Sequence, residues 1–173
     1  YKILNENMKK INKEIYTFAN KIFNYPRSLT GNGVRSTLSE IKKINKDLKK
    51  FEIATGTQVF DWKIPREWKV TNAYIIDPDG EKICEYTKNK LHLVSYSIPF
   101  KGKLTLKELN NYLYSIPNQP TAIPYVTSYY KERWGFCISH NERKKLKKGI
   151  YQIVIDTKLF NGSLTYGEIL IKG

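Results

Sequence analysis

The chain has 173 residues, 40% of them hydrophobic, with 3 Trp, 13 Tyr and 7 Phe. That supplies a core for one domain, or for one domain with a second set into it, and excludes a disordered chain. The net charge is +14, but much of the excess is lysine spread over helix faces, such as Lys42, Lys43, Lys46, Lys49 and Lys50, which reads as a solvated surface before it reads as a nucleic-acid interface.

No apolar run reaches the roughly 20 residues of a membrane span. Lys2, Lys9 and Lys10 interrupt any leader-like stretch. The first residue is Tyr1 and not Met, which is compatible with a start upstream. Cys84 and Cys137 sit far apart in apolar runs, without metal-ligand spacing. They read as buried thiols of a reducing, cytoplasmic protein.

Leu4, Met8, Ile11, Ile15, Phe18 and Ile22 recur at spacings of three and four, which predicts a helix over 3–23. Pro26 stops it. A loop, Arg27 to Gly33, leads into a second amphipathic helix marked by Val34, Leu38, Ile41, Ile44 and Leu48, with Asn32 or Thr30 as its cap. After residue 50 the texture becomes β-rich. Short strands are expected at 51–54 and 59–62. A hairpin is expected with arms 73–76 and 82–86 around Asp77-Pro78-Asp79-Gly80. Further strands are predicted at 91–98, 125–130 and 134–138, and closing strands at 151–155 and 164–171, joined through Asn161-Gly162. Thr105 to Glu108 and Ser139 to Glu142 are capping boxes that open short helices.

His92 and His140 are the two histidines, with no carboxylate at ligand spacing, and no HExxH helix is present. Asp61, Asp77, Asp79, Glu81 and Asp156 form no acid–base pair by spacing. The loop at 27–33 has two readings: an anion cradle at a helix N-terminus, or a helix–helix turn whose glycines supply positive φ. Tyr125, Tyr129, Tyr130, Trp134 and Phe136 also have two: a face on which sugars or bases stack, or the core of a small β domain.

Five stretches carry a resemblance. They are Pro26-Arg27-Ser28-Leu29-Thr30-Gly31-Asn32-Gly33-Val34-Arg35, Thr55-Gly56-Thr57-Gln58-Val59-Phe60-Asp61-Trp62, Pro124-Tyr125-Val126-Thr127-Ser128-Tyr129-Tyr130, Trp134-Gly135-Phe136-Cys137 and Gly162-Ser163-Leu164-Thr165-Tyr166-Gly167. In order and over most of the chain, they resemble a bacterial family of aminopeptidase-like domains of unknown function, some attached to polysaccharide-biosynthesis loci. The resemblance implies an α/β fold: the N-terminal part of a three-layer zinc-aminopeptidase-like fold, two helices plus strands, carrying an inserted β-rich α+β subdomain. Residues 1–60 and 150–173 would be the partial peptidase-like domain, and 61–149 the insert.

The same resemblance implies a parent protein that is a zinc-dependent hydrolase of peptides or other amides. Its His, Asp and Glu ligands lie outside this chain, so no catalytic and no metal residue is carried over. Arg27, Ser28, Thr30, Gly31, Tyr129, Tyr130 and Trp134 are the candidate substrate-binding residues. A homo-oligomer is compatible, and a membrane partner is not expected. Two other functions stay open: a glycan- or peptide-binding module with vestigial catalysis, and a basic nucleic-acid-binding domain. Salt separates them, because phosphate contacts make affinity fall steeply with ionic strength whereas stacking on tyrosine barely responds.

Overall fold

A computed structural model of the protein describes residues 2–172, with side chains from residue 8 onward. The first predicted helix forms as α1 (Lys2–Phe23). Leu4, the first residue of its stripe, lies outside the described side chains. Met8, Ile11 and Ile15 are exposed while Phe18 and Ile22 are half-buried, so the stripe is covered only toward its C-terminal end. A Lys21–Glu40 ion pair at 2.6 Å ties the end of α1 to α2 (Asn32–Ile44).

The expected cap of α2 is corrected. Neither Thr30 nor Asn32 caps it; Gly31 stands at the cap with φ 101° and ψ 176° and no side-chain cap bond. That backbone region is essentially restricted to glycine. Gly33 is needed for a different reason: a Cβ there would lie 2.3 Å from the Pro26 carbonyl oxygen. Asn45 leaves the helical region and ends α2, so Leu48 lies beyond the helix and is buried on its own.

The β-rich part follows as β1 (Lys49–Ala54), β2 (Gln58–Val59), β3 (Trp62–Lys63), β4 (Glu67–Ile76) and β5 (Lys82–Ile83). Then come β6 (Phe100–Thr105), α3 (Leu106–Leu109), β7 (Leu113–Tyr114), β8 (Phe136–Cys137), α4 (His140–Lys144), β9 (Ile150–Phe160) and β10 (Ser163–Glu168). The 77–80 turn forms as expected, with Asp77 Oδ1 accepting from the Asp79 and Glu81 amides at 2.9 Å. The Thr105–Glu108 capping box forms in full, whereas Ser139 Oγ accepts the Glu142 amide and donates to the Glu142 carboxylate without the return bond to the Ser139 amide. The second hairpin arm is only two residues long, because Cys84 turns the chain at φ 52°.

Two predicted strands are not strands. Residues 91–98 begin in a 3-10 turn (Lys90–His92) and continue irregularly, because Tyr96 sits at φ 65° and Ser97 N–H folds back onto the Val94 carbonyl. Residues 125–130 touch that segment through one bridge, Ser95–Thr127. Their amides are instead met by scattered backbone carbonyls, Val94 by Gly135, Ser95 by Val126, Ile98 by Arg133 and Ser128 by Ser95.

The main sheet is antiparallel in the order β5-β4-β9-β6. Along β9 the alternation is regular: Tyr151, Ile153, Ile155 and Thr157 point inward. They pack with Ala73 and Ile75 of β4, and with Leu109, Leu113 and Phe136. Each large apolar side chain so buried is worth about 1.5–3 kcal/mol. The closing strands do not pair with one another, since β9 serves this sheet while β10 pairs with β1. Residues 150–160, expected with the peptidase-like part, therefore sit at the centre of the four-stranded sheet. Divided by sheets, the chain changes partner between Phe160 and Ser163. Among the described residues no helix is long and apolar enough to cross a membrane.

One ion pair holds the two sheets and α2 together. Arg35 on α2 reaches Glu67 at the start of β4 with both arms, at 2.7 and 2.8 Å. Its Nε donates to Glu52 on β1 at 3.2 Å and its Nη2 to Ser163 on β10 at 3.1 Å. The Glu67 side chain is 9% exposed, so it depends on this partner. Removing one member of a buried pair leaves an uncompensated charge and costs roughly 3–5 kcal/mol.

Arg35→Ala is therefore expected to lower urea stability by about 3 kcal/mol, and more than removal of the exposed Arg66–Glu132 pair. The bidentate bond to Arg35 holds the Glu67 carboxyl below the usual carboxylate range. Its contribution is fully present above the unfolded value of about 4.3 and is lost as pH falls through the depressed folded value. Urea titrations from pH 7 to 3 should show that acid limb, and Glu67→Gln should flatten it.

Candidate functional site

The loop at 26–33 is built from spent polar groups. Arg27 Nη1 donates to the Ile22 carbonyl at 2.7 Å and so finishes α1. Ser28 Oγ is hydrogen-bonded to Ser95 Oγ. Thr30 is buried; its hydroxyl meets Tyr96 OH at 2.7 Å and accepts the Trp68 amide at 3.3 Å. Gly31 gives the chain the conformation that brings Thr30 inward.

Segment 94–97 is the hub on the other side. Ser95 accepts at its carbonyl from the Ser128 amide at 2.9 Å, and its own amide donates to Val126 at 2.8 Å. The Ser97 carbonyl accepts from Trp68 Nε1 at 3.0 Å and from the Thr157 hydroxyl at 2.8 Å. The Tyr96 ring stacks on Trp68 with centroids 5.6 Å apart and meets the edge of Tyr129 at 6.0 Å. Tyr129 in turn contacts Tyr130 at 4.3 Å, and Tyr130 is 78% exposed.

Of the seven residues singled out from the sequence, Ser28, Thr30, Gly31, Tyr129 and Tyr130 thus gather around Ser95 and Tyr96. Arg27 faces the end of α1 instead. Trp134 is corrected: it is buried between Phe100, at 4.2 Å, and Tyr112, at 3.9 Å, and serves the core. Ser95, Tyr96 and Thr127 belong to the cluster and were missed. The signal available was the pair Ser95 and Ser97 inside an otherwise apolar run. Among the described residues, Thr127 Oγ1 is the buried side-chain atom that has no hydrogen-bond partner. It sits between Tyr125 and Tyr130, both exposed.

The hydroxyls of the cluster pair with one another and with backbone. Burial pushes the Tyr96 phenol above its ordinary value, so it stays neutral. The cavity of about 240 Å³ beside Gly31 and Gly33 is lined by both Glu67 and Lys69, and Glu67 is paired with Arg35.

The histidines and cysteines lie elsewhere. His92 Nδ1 donates to the Cys137 carbonyl at 2.8 Å, and its ring lines a cavity of about 370 Å³ with Glu85, Glu142 and Cys84. His140 Nδ1 is bonded to Ser115 Oγ at 3.1 Å. Burial pushes the Cys137 thiol up to about 12 and raises that of Cys84 as well, which leaves both inert as thiolates. Among the described residues no three His, Cys, Asp or Glu side chains come together to hold a metal ion. The residues present do not fit a zinc site.

The four-stranded antiparallel sheet and the helix–ribbon unit meet at this hydroxyl-rich seam. The chain belongs to the family described as a domain of unknown function, DUF2172, whose model matches residues 67–158. That range runs from the first residue of β4 almost to the end of β9, and so takes in the main sheet. The chain is 45% identical over 168 residues to a Clostridium acetobutylicum protein named "Putative polysaccharide biosynthesis protein with aminopeptidase-like domain". The match covers 97% of this chain and 38% of that relative. A crystal structure of a "putative peptidase" from Clostridium acetobutylicum superposes with a TM-score of 0.87 at 44% identity, over 94% of this chain and 38% of that one.

Two substitutions separate support from surface. Tyr96→Phe keeps the stack on Trp68 and deletes the bond to Thr30, so thermal melts should show a loss of about 1 kcal/mol. Tyr130→Ala removes an exposed ring and should stay within about 0.5 kcal/mol of the parent.

Proposed function

We propose that this chain is the N-terminal recognition part of an aminopeptidase-like hydrolase acting on peptides or other amides, and that the reacting groups, zinc ligands included, are supplied from outside it. The observation that carries this is the pair of exposed rings Tyr125 and Tyr130 flanking Thr127, whose buried hydroxyl has no partner, on a segment bridged to Ser95. An unpaired buried hydroxyl costs about 1–3 kcal/mol, which a ligand group at this position would relieve. A neighbouring tyrosine face offers stacking at little entropic cost. The similarity to a relative whose printed name includes an aminopeptidase-like domain supports the reaction class.

A second reading rests on the same tyrosines. The relative's printed name includes polysaccharide biosynthesis, and exposed tyrosines also suit a sugar ring, so the segment would bind a glycan. In either case the three-layer, zinc-bearing part belongs to the longer protein.

The test is leucyl-4-nitroanilide hydrolysis by the longer protein, with zinc content measured alongside, and by residues 1–173 alone. The 1–173 chain is expected to be inactive. In the longer protein Tyr130→Ala should raise KM about tenfold, equal to ~1.4 kcal/mol, with kcat nearly unchanged. Unaltered KM together with lost retention on a β-linked oligosaccharide column would favour the glycan reading. Full activity in 1–173 would overturn both.

A further inference from the structure

The cavity that His92 lines is a cleft between the end of β5 and helix α4, and none of its lining residues belongs to the tyrosine segment. Its volume of about 370 Å³ suits a small organic ligand. The floor is apolar. Cys84 and Ile138 are buried there, and Ile83 and Leu146 line the walls half-buried.

Polar groups in the same cleft are held in place. A carbonyl can only accept, so the bond from His92 Nδ1 to Cys137 puts the ring proton on Nδ1, and in the neutral ring Nε2 is an acceptor. Ser139 Oγ holds one carboxylate oxygen of Glu142 at 2.6 Å, which leaves Oε1 as a second acceptor. His92, Glu85 and Glu142 do not form a group that could hold a metal ion.

Two Glu–Lys couples line this cleft, each at a spacing of three residues that favours pairing. Glu85 and Lys88 form an ion pair. Among the described residues Glu142 and Lys145 form none: Glu142 is drawn back to Ser139 at the start of α4, whereas Lys145 stands at its end. The cleft therefore keeps one open carboxylate and one open ammonium above an aliphatic floor.

We propose that this cleft binds a free amino acid with an aliphatic side chain. Glu142 and His92 Nε2 take its ammonium, Lys145 takes its carboxylate, and its side chain lies on Ile83, Ile138 and Leu146. A ligand that carries both charges meets both open groups, whereas a ligand of one sign leaves the other unmet. Bonds of this kind, with a charge on each side, are stronger than neutral ones. The site goes beyond the proposed function and does not depend on it.

Methyl NMR of the longer protein tests the assignment without reference to hydrolysis. L-Leucine should shift the methyl signals of Ile83, Ile138 and Leu146 saturably. L-Leucinol, which lacks the carboxylate, and 4-methylpentanoate, which lacks the amine, should each bind at least about tenfold more weakly, equal to ~1.4 kcal/mol. Lys145→Met should weaken leucine about tenfold and leave leucinol unchanged. Glu142→Gln should weaken leucine to the same extent and leave 4-methylpentanoate unchanged. Both side chains are exposed, so the melting temperature of each variant should hold. Absence of a saturable shift with leucine overturns the proposal. So do equal responses to the three ligands, because the cleft would then be an apolar depression only, and so does a leucine response that survives both substitutions. Leucine binding without hydrolysis sinks only the proposed function, and hydrolysis without leucine binding here sinks only this site.

Discussion

The bidentate bond between Arg35 and Glu67 is the constraint on which the arrangement of this protein depends. It joins a helix that belongs to the ribbon unit with the first residue of the main sheet. Glu67 is almost out of water, and its second oxygen also accepts the Ser163 amide at 3.3 Å. The Gly162 backbone lies so close to this carboxylate that a Cβ there would sit 2.4 Å from it. One charge pair therefore fixes where α2, β1, β4 and the β9–β10 corner meet. A buried pair of this kind contributes orientation more surely than net stability.

Beside that junction, the hydroxyl seam sets what the chain offers a ligand. Trp68 follows Glu67 directly, and it donates its backbone N–H to Thr30 and its indole N–H to Ser97. The position of the Ser28–Thr30 loop, the backbone of Tyr96 and the tyrosines at 129 and 130 are thus all referenced to the first two residues of β4. Recognition residues on irregular segments, placed by a regular scaffold, are the usual division of labour in binding proteins.

The amphipathic helices, the Asp77–Gly80 turn and the side-chain caps at Thr105 and Ser139 were legible because each is decided within a few residues. Strand 91–98 was not. Leu91, Leu93 and Val94 read as an apolar strand, and nothing local announces that Tyr96 adopts positive φ, since that conformation is held by bonds to residues 28, 30 and 126–128. The tyrosines illustrate the same limit. Tyr130 and Trp134 are four residues apart with similar composition around them, yet one is exposed and the other lies between Phe100 and Tyr112. Their difference comes from what crosses over them.

The sequence by itself determined the helices with their apolar stripes, the turns, the absence of a recognisable catalytic motif and the resemblance to aminopeptidase-like proteins. Those properties rest on spacing and local backbone preference, which act over one or two turns of chain. Only the tertiary structure decided that β9 enters the main sheet while β10 turns to β1, and that Thr30 points inward and not to a helix cap. These are choices of long-range partner, and an apolar strand carries the same side chains whichever partner it takes.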